Sequence, residues 1–162
     1  MIERRQAIER ITLMLGGALS PQMTAAVMGQ TLNEGASVEV TEAQTALLAD
    51  LADVILPATD TPGAKAAGAE KFIVRVMRDC YELKDQKAFY AGLEGVDAAS
   101  QSAHGKPFAE LNSDEKTGIV EGIAKSDKAF FKQVKALTVT GYFTSEVGAT
   151  QALEYLPIPG KF

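Results

Sequence analysis

The sequence has one histidine, one cysteine and no tryptophan among its 162 residues. A zinc site of nitrogen and sulfur ligands needs three or four such side chains, and a Ser-His-Asp or Cys-His arrangement would have to use His104. The single cysteine, Cys80, cannot close an internal disulfide, so the framework of a small secreted scaffold is excluded and the fold must stand on an apolar core. Positive charge is also short. Sixteen Lys and Arg face 21 Asp and Glu, for a net charge of −5, the wrong sign for a protein that neutralises phosphates, and nucleic acid is not an expected partner. The apolar run at the front, about Ile11 to Leu19, is less than half the roughly 20 residues that span a bilayer as a helix, so no stable membrane anchor is expected.

The length and the composition, 46% hydrophobic and 23% charged residues, fit one globular domain. At the front, Arg4 and Arg5 precede the apolar run, and Ala18-Leu19-Ser20 follows as a small-x-small site. This is the layout of a twin-arginine export signal, with Glu3 and Glu9 diluting its charge. The same stretch also reads as an amphipathic first helix, because Ile8, Ile11, Leu15 and Leu19 fall at helical spacing. The chain thus divides into residues 1–28, an export signal or first helix; 29–40, a Gly/Thr/Asn-rich linker; and 41–162, a helical domain.

Within that domain Thr41 and Gln44 form a capping box ahead of an apolar stripe, Leu47, Leu48, Leu51, Val54 and Ile55, that stops at Pro57. Residues 57–68 are rich in turn formers and lack periodicity, which predicts an irregular loop. A second helix carries Phe72, Ile73, Val76, Met77, Cys80 and Tyr81, and a third, from about Asp85, carries Phe89, Leu93 and Val96 until Gly105 and Pro107 end it. Asn112 with Glu115 caps a fourth, short helix, and Ser126 or Asp127 caps a fifth. The fifth buries Phe130, Val134 and Leu137 and exposes Lys128, Lys132 and Lys135. The segment from Tyr142 to Leu153 has few helix signals and is expected to add one turn, and the Pro-rich end, Leu156 to Phe162, is expected to be extended. No segment sustains a two-residue alternation, so the fold predicted is all-α, a single irregular bundle of about five to six helices with an extended C-terminal tail.

Candidate chemistry is sparse. His104 could serve as a general base with an acid such as Glu110 or Glu146, although a histidine at a helix C-terminus is also explained by the helix dipole. Cys80 sits in an apolar stripe, where a thiol behaves as a small hydrophobe. Asp60 to Lys65 lacks the spacing of a phosphate-binding loop. Tyr142, Phe143, Tyr155 and Phe162 crowd the C-terminal segment and suit either core packing or a docking surface.

Three strings resemble one known family. They are Arg4-Arg5-Gln6-Ala7-Ile8 with Leu13 to Ala18; the loop Ile55-Leu56-Pro57-Ala58-Thr59-Asp60-Thr61-Pro62-Gly63-Ala64; and Gly141-Tyr142-Phe143-Thr144-Ser145-Glu146-Val147-Gly148 with Tyr155 to Gly160. Together they are similar to the gluconate 2-dehydrogenase subunit 3 family. The resemblance implies the small, or gamma, subunit of a periplasmic dehydrogenase acting on sugars, sugar acids or glycosides. It implies a glucose-methanol-choline-type flavoprotein partner that holds FAD, with a cytochrome c subunit or another acceptor receiving the electrons. It also implies export of the pair by the twin-arginine translocase, which would read Arg4 and Arg5. Many members continue to a cysteine beyond the Pro-x-Pro-Gly string, a disulfide that Cys80 alone cannot form.

The expectation is therefore a non-catalytic periplasmic subunit with no cofactor, metal or catalytic residue of its own, which binds, stabilises and helps export its partner. Tyr142, Phe143, Glu146 and Tyr155 are its expected docking or structural signature. The alternatives are a small enzyme built on His104 and a free-standing envelope helical protein.

Overall fold

The computed structural model describes residues 20–32 and 35–153. Six α-helices follow one another: α1 (Pro21–Met28), α2 (Glu42–Ile55), α3 (Ala69–Cys80), α4 (Leu83–His104), α5 (Ser113–Ser126) and α6 (Lys128–Thr144). A 3-10 turn, Phe108–Glu110, joins α4 to α5, and a π-helical turn, Gly148–Ala152, follows α6. No strand occurs among the described residues, and no helix among them is long and apolar enough to cross a membrane. The all-α expectation holds.

The helix starts follow from local chemistry. The Gln44 amide donates to Thr41 Oγ1 at 3.1 Å while the Thr41 amide donates to Gln44 Oε1 at 3.0 Å. Asn112 and Glu115 repeat that reciprocal arrangement at the start of α5, with both bonds at 3.0 Å. Asp127 Oδ1 accepts from the Phe130 amide at 3.0 Å and opens α6. Each cap satisfies donors that a helix N-terminus leaves free, and such a residue typically contributes about 1 kcal/mol. At the other end of α4, Gly105 takes the left-handed conformation, φ +66°, where a side chain would be strained.

One continuous core joins these helices. Leu48 and Leu51 of α2, Ile73 and Met77 of α3, Phe89 and Leu93 of α4, and Val134 and Leu137 of α6 are almost wholly buried. The most extensive helix pairing is α3 on α6, and α3 also receives α1 and α2. Through Met23, Ala25 and Ala26, α1 enters the same core. Residues 1–19, with Arg4, Arg5 and the apolar run, lie outside the described residues.

Two findings depart from the local signals. The linker is tied down by Gln86, 1% exposed on α4, whose Oε1 accepts from the Val38 amide at 2.9 Å and whose Nε2 donates to the Tyr81 carbonyl at 2.9 Å. The Leu32 amide donates to the Asp79 carbonyl at 2.7 Å. The second departure is that α6 does not end near residue 141 but continues through Thr144. Thr138 and Thr140 are buried there, and Gly141 lets the Phe72 ring of α3 lie directly against the α6 backbone. Tertiary packing overrides weak intrinsic helix propensity.

Tyr90, 4% exposed, has a buried hydroxyl with no hydrogen-bond partner among the described residues, and burial pushes its pKa up to about 12. Because the folded state favours the protonated phenol, the stability carried by this group is complete below its ordinary pKa of about 10 and is lost as pH rises through about 12. Tyr90→Phe is expected to keep or raise stability at neutral pH, by up to about 1 kcal/mol, because it removes an unsatisfied buried hydroxyl. It should also reduce the alkaline loss of stability. Urea midpoints at neutral and alkaline pH check both, and a clear loss at neutral pH would contradict the account.

Candidate functional site

Two strings some eighty residues apart meet in space: the loop after α2 and the C-terminal end of α6. The loop is closed by its own backbone, with the Ala64 amide donating to the Leu56 carbonyl at 2.9 Å and the Thr59 amide to the Thr61 carbonyl at 3.0 Å. Gly63 permits that closure. A Cβ there would lie 2.6 Å from Asp53 Oδ1 and 2.7 Å from the Ala58 amide nitrogen. Thr59 donates its hydroxyl to Asp60 Oδ1 at 2.8 Å, and this bond holds the exposed Asp60 carboxyl below its ordinary pKa.

Tyr142 binds the loop to α6. Its hydroxyl donates to the Pro62 carbonyl at 2.9 Å and lies 3.3 Å from Thr61 Oγ1. The ring, 5% exposed, packs with Ala52, Ala64 and Ala69 in a second small core, which Leu56, Ala67 and Phe143 flank. Phe143 meets it edge-on, with centroids 5.1 Å apart. Of the two readings the sequence left open for Tyr142, core packing is the one its ring adopts in this chain. Phe143 is partly buried and Glu146 is exposed. Tyr155 and the Pro-rich tail lie outside the described residues.

The residues after Tyr142 turn the chain off the helix. The Ser145 hydroxyl donates to the Tyr142 carbonyl at 2.6 Å and accepts from the Gly148 amide at 3.0 Å. A Cβ on Gly148 would run into the Tyr142 carbonyl oxygen. Thr144 returns its hydroxyl to the Thr140 carbonyl at 2.7 Å. This string is thus a helix-ending device that needs its serine and its glycine.

Charges anchor the other side of the loop. Lys65 Nζ lies 2.6 Å from Asp50 Oδ1, and Lys116 Nζ of α5 lies 3.6 Å from the other oxygen of Asp50. The hydrogen bond to Asp50 raises the Lys65 pKa. Glu70, in the first turn of α3, is 8% exposed, with one carboxylate oxygen lacking a partner among the described residues. Next to the loop, a groove of about 430 Å³ runs between α1, α3 and α6. Ala26 and Val27 of α1, Lys71, Phe72 and Arg75 of α3, and Thr144 of α6 line it.

A match to the family model described as gluconate 2-dehydrogenase subunit 3 spans residues 42–160. The chain belongs to this family. The match takes in both the loop after α2 and the end of α6, and it names a subunit of a dehydrogenase complex, so the partner it implies is a dehydrogenase catalytic subunit. No curated protein and no solved structure matches the chain.

Elsewhere in this subunit 3 chain, the acid beside His104 is neither Glu110 nor Glu146. Glu115 Oε1 stands 3.8 Å from His104 Nδ1, and the other oxygen of Glu115 is occupied in the α5 capping box. Cys80 is buried, with Sγ 3.5 Å from the Gln30 carbonyl, and desolvation raises its pKa. No cluster of three His, Cys, Asp or Glu side chains with metal-binding geometry occurs among the described residues. The roles of Ser145, Asp50 and Gln86 were not singled out in the sequence. Lys71 and Arg75 were not singled out either, although their spacing of four is a local signal that places both cations on one helix face.

Two substitutions separate the staple from the loop's own closure. Tyr142→Phe is expected to cost about 1 kcal/mol by removing one hydrogen bond and to speed exchange of the Ala64 amide. Gly63→Ala is expected to cost about 1–3 kcal/mol by overpacking against Asp53 and the Ala58 backbone. Denaturant midpoints and amide exchange check both, and an unchanged Ala64 exchange rate in Tyr142→Phe would contradict the staple.

Proposed function

We propose that this chain is the non-catalytic small subunit of an FAD-dependent dehydrogenase, binding and stabilising a glucose-methanol-choline-type flavoprotein that oxidises a sugar, sugar acid or glycoside. The observation that carries the reading is the family match over residues 42–160. In this reading the flavoprotein holds FAD and abstracts the hydride, and electrons leave through a cytochrome c subunit or another acceptor. The small subunit supplies a preformed surface. The stapled loop and the end of α6 suit that task, because a rigid surface loses little conformational entropy on docking.

The same proposal covers export. Arg4 and Arg5 ahead of an apolar run are the features a twin-arginine translocase reads, and a partner carried with the small subunit would reach the periplasm already folded. The signal and the helical body then divide the work, one addressing the complex and the other holding the flavoprotein.

The test is co-expression with a glucose-methanol-choline-type flavoprotein, sought in the neighbouring reading frame. The flavoprotein is expected to be soluble, FAD-loaded and periplasmic when both are made, and aggregated or cytoplasmic when made alone. Replacing Arg4 and Arg5 by lysines should leave the complex intact but keep it in the cytoplasm. A flavoprotein equally soluble and active without the small subunit would overturn the reading.

A further inference from the structure

Two basic side chains line the groove between α1, α3 and α6. The chain has a net charge of −5, yet Lys71 and Arg75, one turn apart on α3, both face this groove. Neither has an ion-pair partner among the described residues. The cations elsewhere on this side are engaged, Lys65 with Asp50 and Arg78 with Asp79. Arg75 lies near enough to Asp79 to help hold that carboxyl below its ordinary pKa, but the hydrogen bonds to Asp79 come from Arg78. The Arg75 guanidinium instead sits over the Phe72 ring, 5.7 Å from its centre, and Phe72 also lines the groove.

The geometry points to an acidic, extended segment of the dehydrogenase catalytic subunit as the occupant of this groove, its carboxylates paired with Lys71 and Arg75 and an apolar side chain laid over Phe72. This rests on the accessory-subunit reading and deepens it by assigning the surface and the chemistry of its partner. Lys71 and Arg75 are exposed, and a small free anion paired with them would gain little against solvent and salt. A polypeptide segment gains twice, because it pairs the charges and covers the partly exposed Phe72 and Val27 in one step. The groove has the volume for a few side chains and not for a folded domain. It is also continuous with both strings of the stapled site, since Ala67 and Gly68 from the end of the loop and Thr144 and Ser145 from the end of α6 form part of its lining.

The experiment uses the full chain and the flavoprotein with which it is co-expressed above. Lys71→Glu/Arg75→Glu is compared with the milder Lys71→Gln/Arg75→Gln, each first shown by circular dichroism and thermal melting to keep the fold. Affinity for the flavoprotein is measured at low and high salt. Charge reversal is expected to weaken binding by at least about tenfold at low salt, neutralisation by less, and both should flatten the salt dependence. A photo-crosslinking residue at position 71 is expected to react with an acid-rich stretch of the flavoprotein. A complex that forms with unchanged affinity in both variants would overturn the groove assignment alone. So would a cross-link to residues 154–162 of this chain or to a second copy. Absence of any complex with the unaltered chain would overturn the accessory-subunit reading and this assignment with it.

Discussion

Tyr142 reaches Pro62 only because α6 stays helical along its whole contact with α3. That packing sets the position of everything at this end of the molecule. Phe72 against Gly141 fixes how closely the two helices approach, Val134 and Leu137 anchor α6 in the core one and two turns earlier, and the phenol then falls within hydrogen-bond reach of the loop. Had α6 ended a turn sooner, the loop would still close on itself through Leu56 and Ala64, but it would have no tie to the last helix. The helix interior carries a glycine and two buried threonines, all weak helix formers, and tertiary burial offsets their cost.

The surface that results is built from positions with little tolerance for substitution. Gly63 and Gly148 each sit where a methyl group would strike backbone or a fixed carboxylate, and Ser145 passes a hydrogen bond between two backbone groups. Together these residues fix the shape of the surface where the loop meets the end of α6. Asp50 contributes from the opposite side by standing between Lys65 of the loop and Lys116 of α5. Both lysines approach a carboxylate on α2, so the loop is restrained by three helices rather than by its own turns alone.

What could be read in advance divides along physical lines. The helix starts at Thr41, Asn112 and Asp127 were legible because a cap is a contact between residues three apart, and the buried stripes were legible because helical periodicity is a local pattern. The true end of α6 was not, since the segment after Leu137 is helical by virtue of α3, a neighbour distant in sequence. The docking of the linker by Gln86 was hidden for the same reason, and a lone glutamine in a helix looks like any solvated side chain until its 1% exposure is known. The loop and the Gly141–Gly148 string could be recognised separately as marks of a family. Their meeting through one phenolic oxygen could not be read from either.

That meeting also bears on how the chain is completed during synthesis. A ribosome adds residues in order from the N-terminal side, so α2 and its loop exist before Tyr142 is added, and until then the Pro62 carbonyl lacks the phenol as its donor. The body can collapse around α2, α3 and α4 early, but the loop gains its tie to Tyr142 only once α6 is made and has docked on α3. The stapled site is therefore complete only on chains whose synthesis has passed α6.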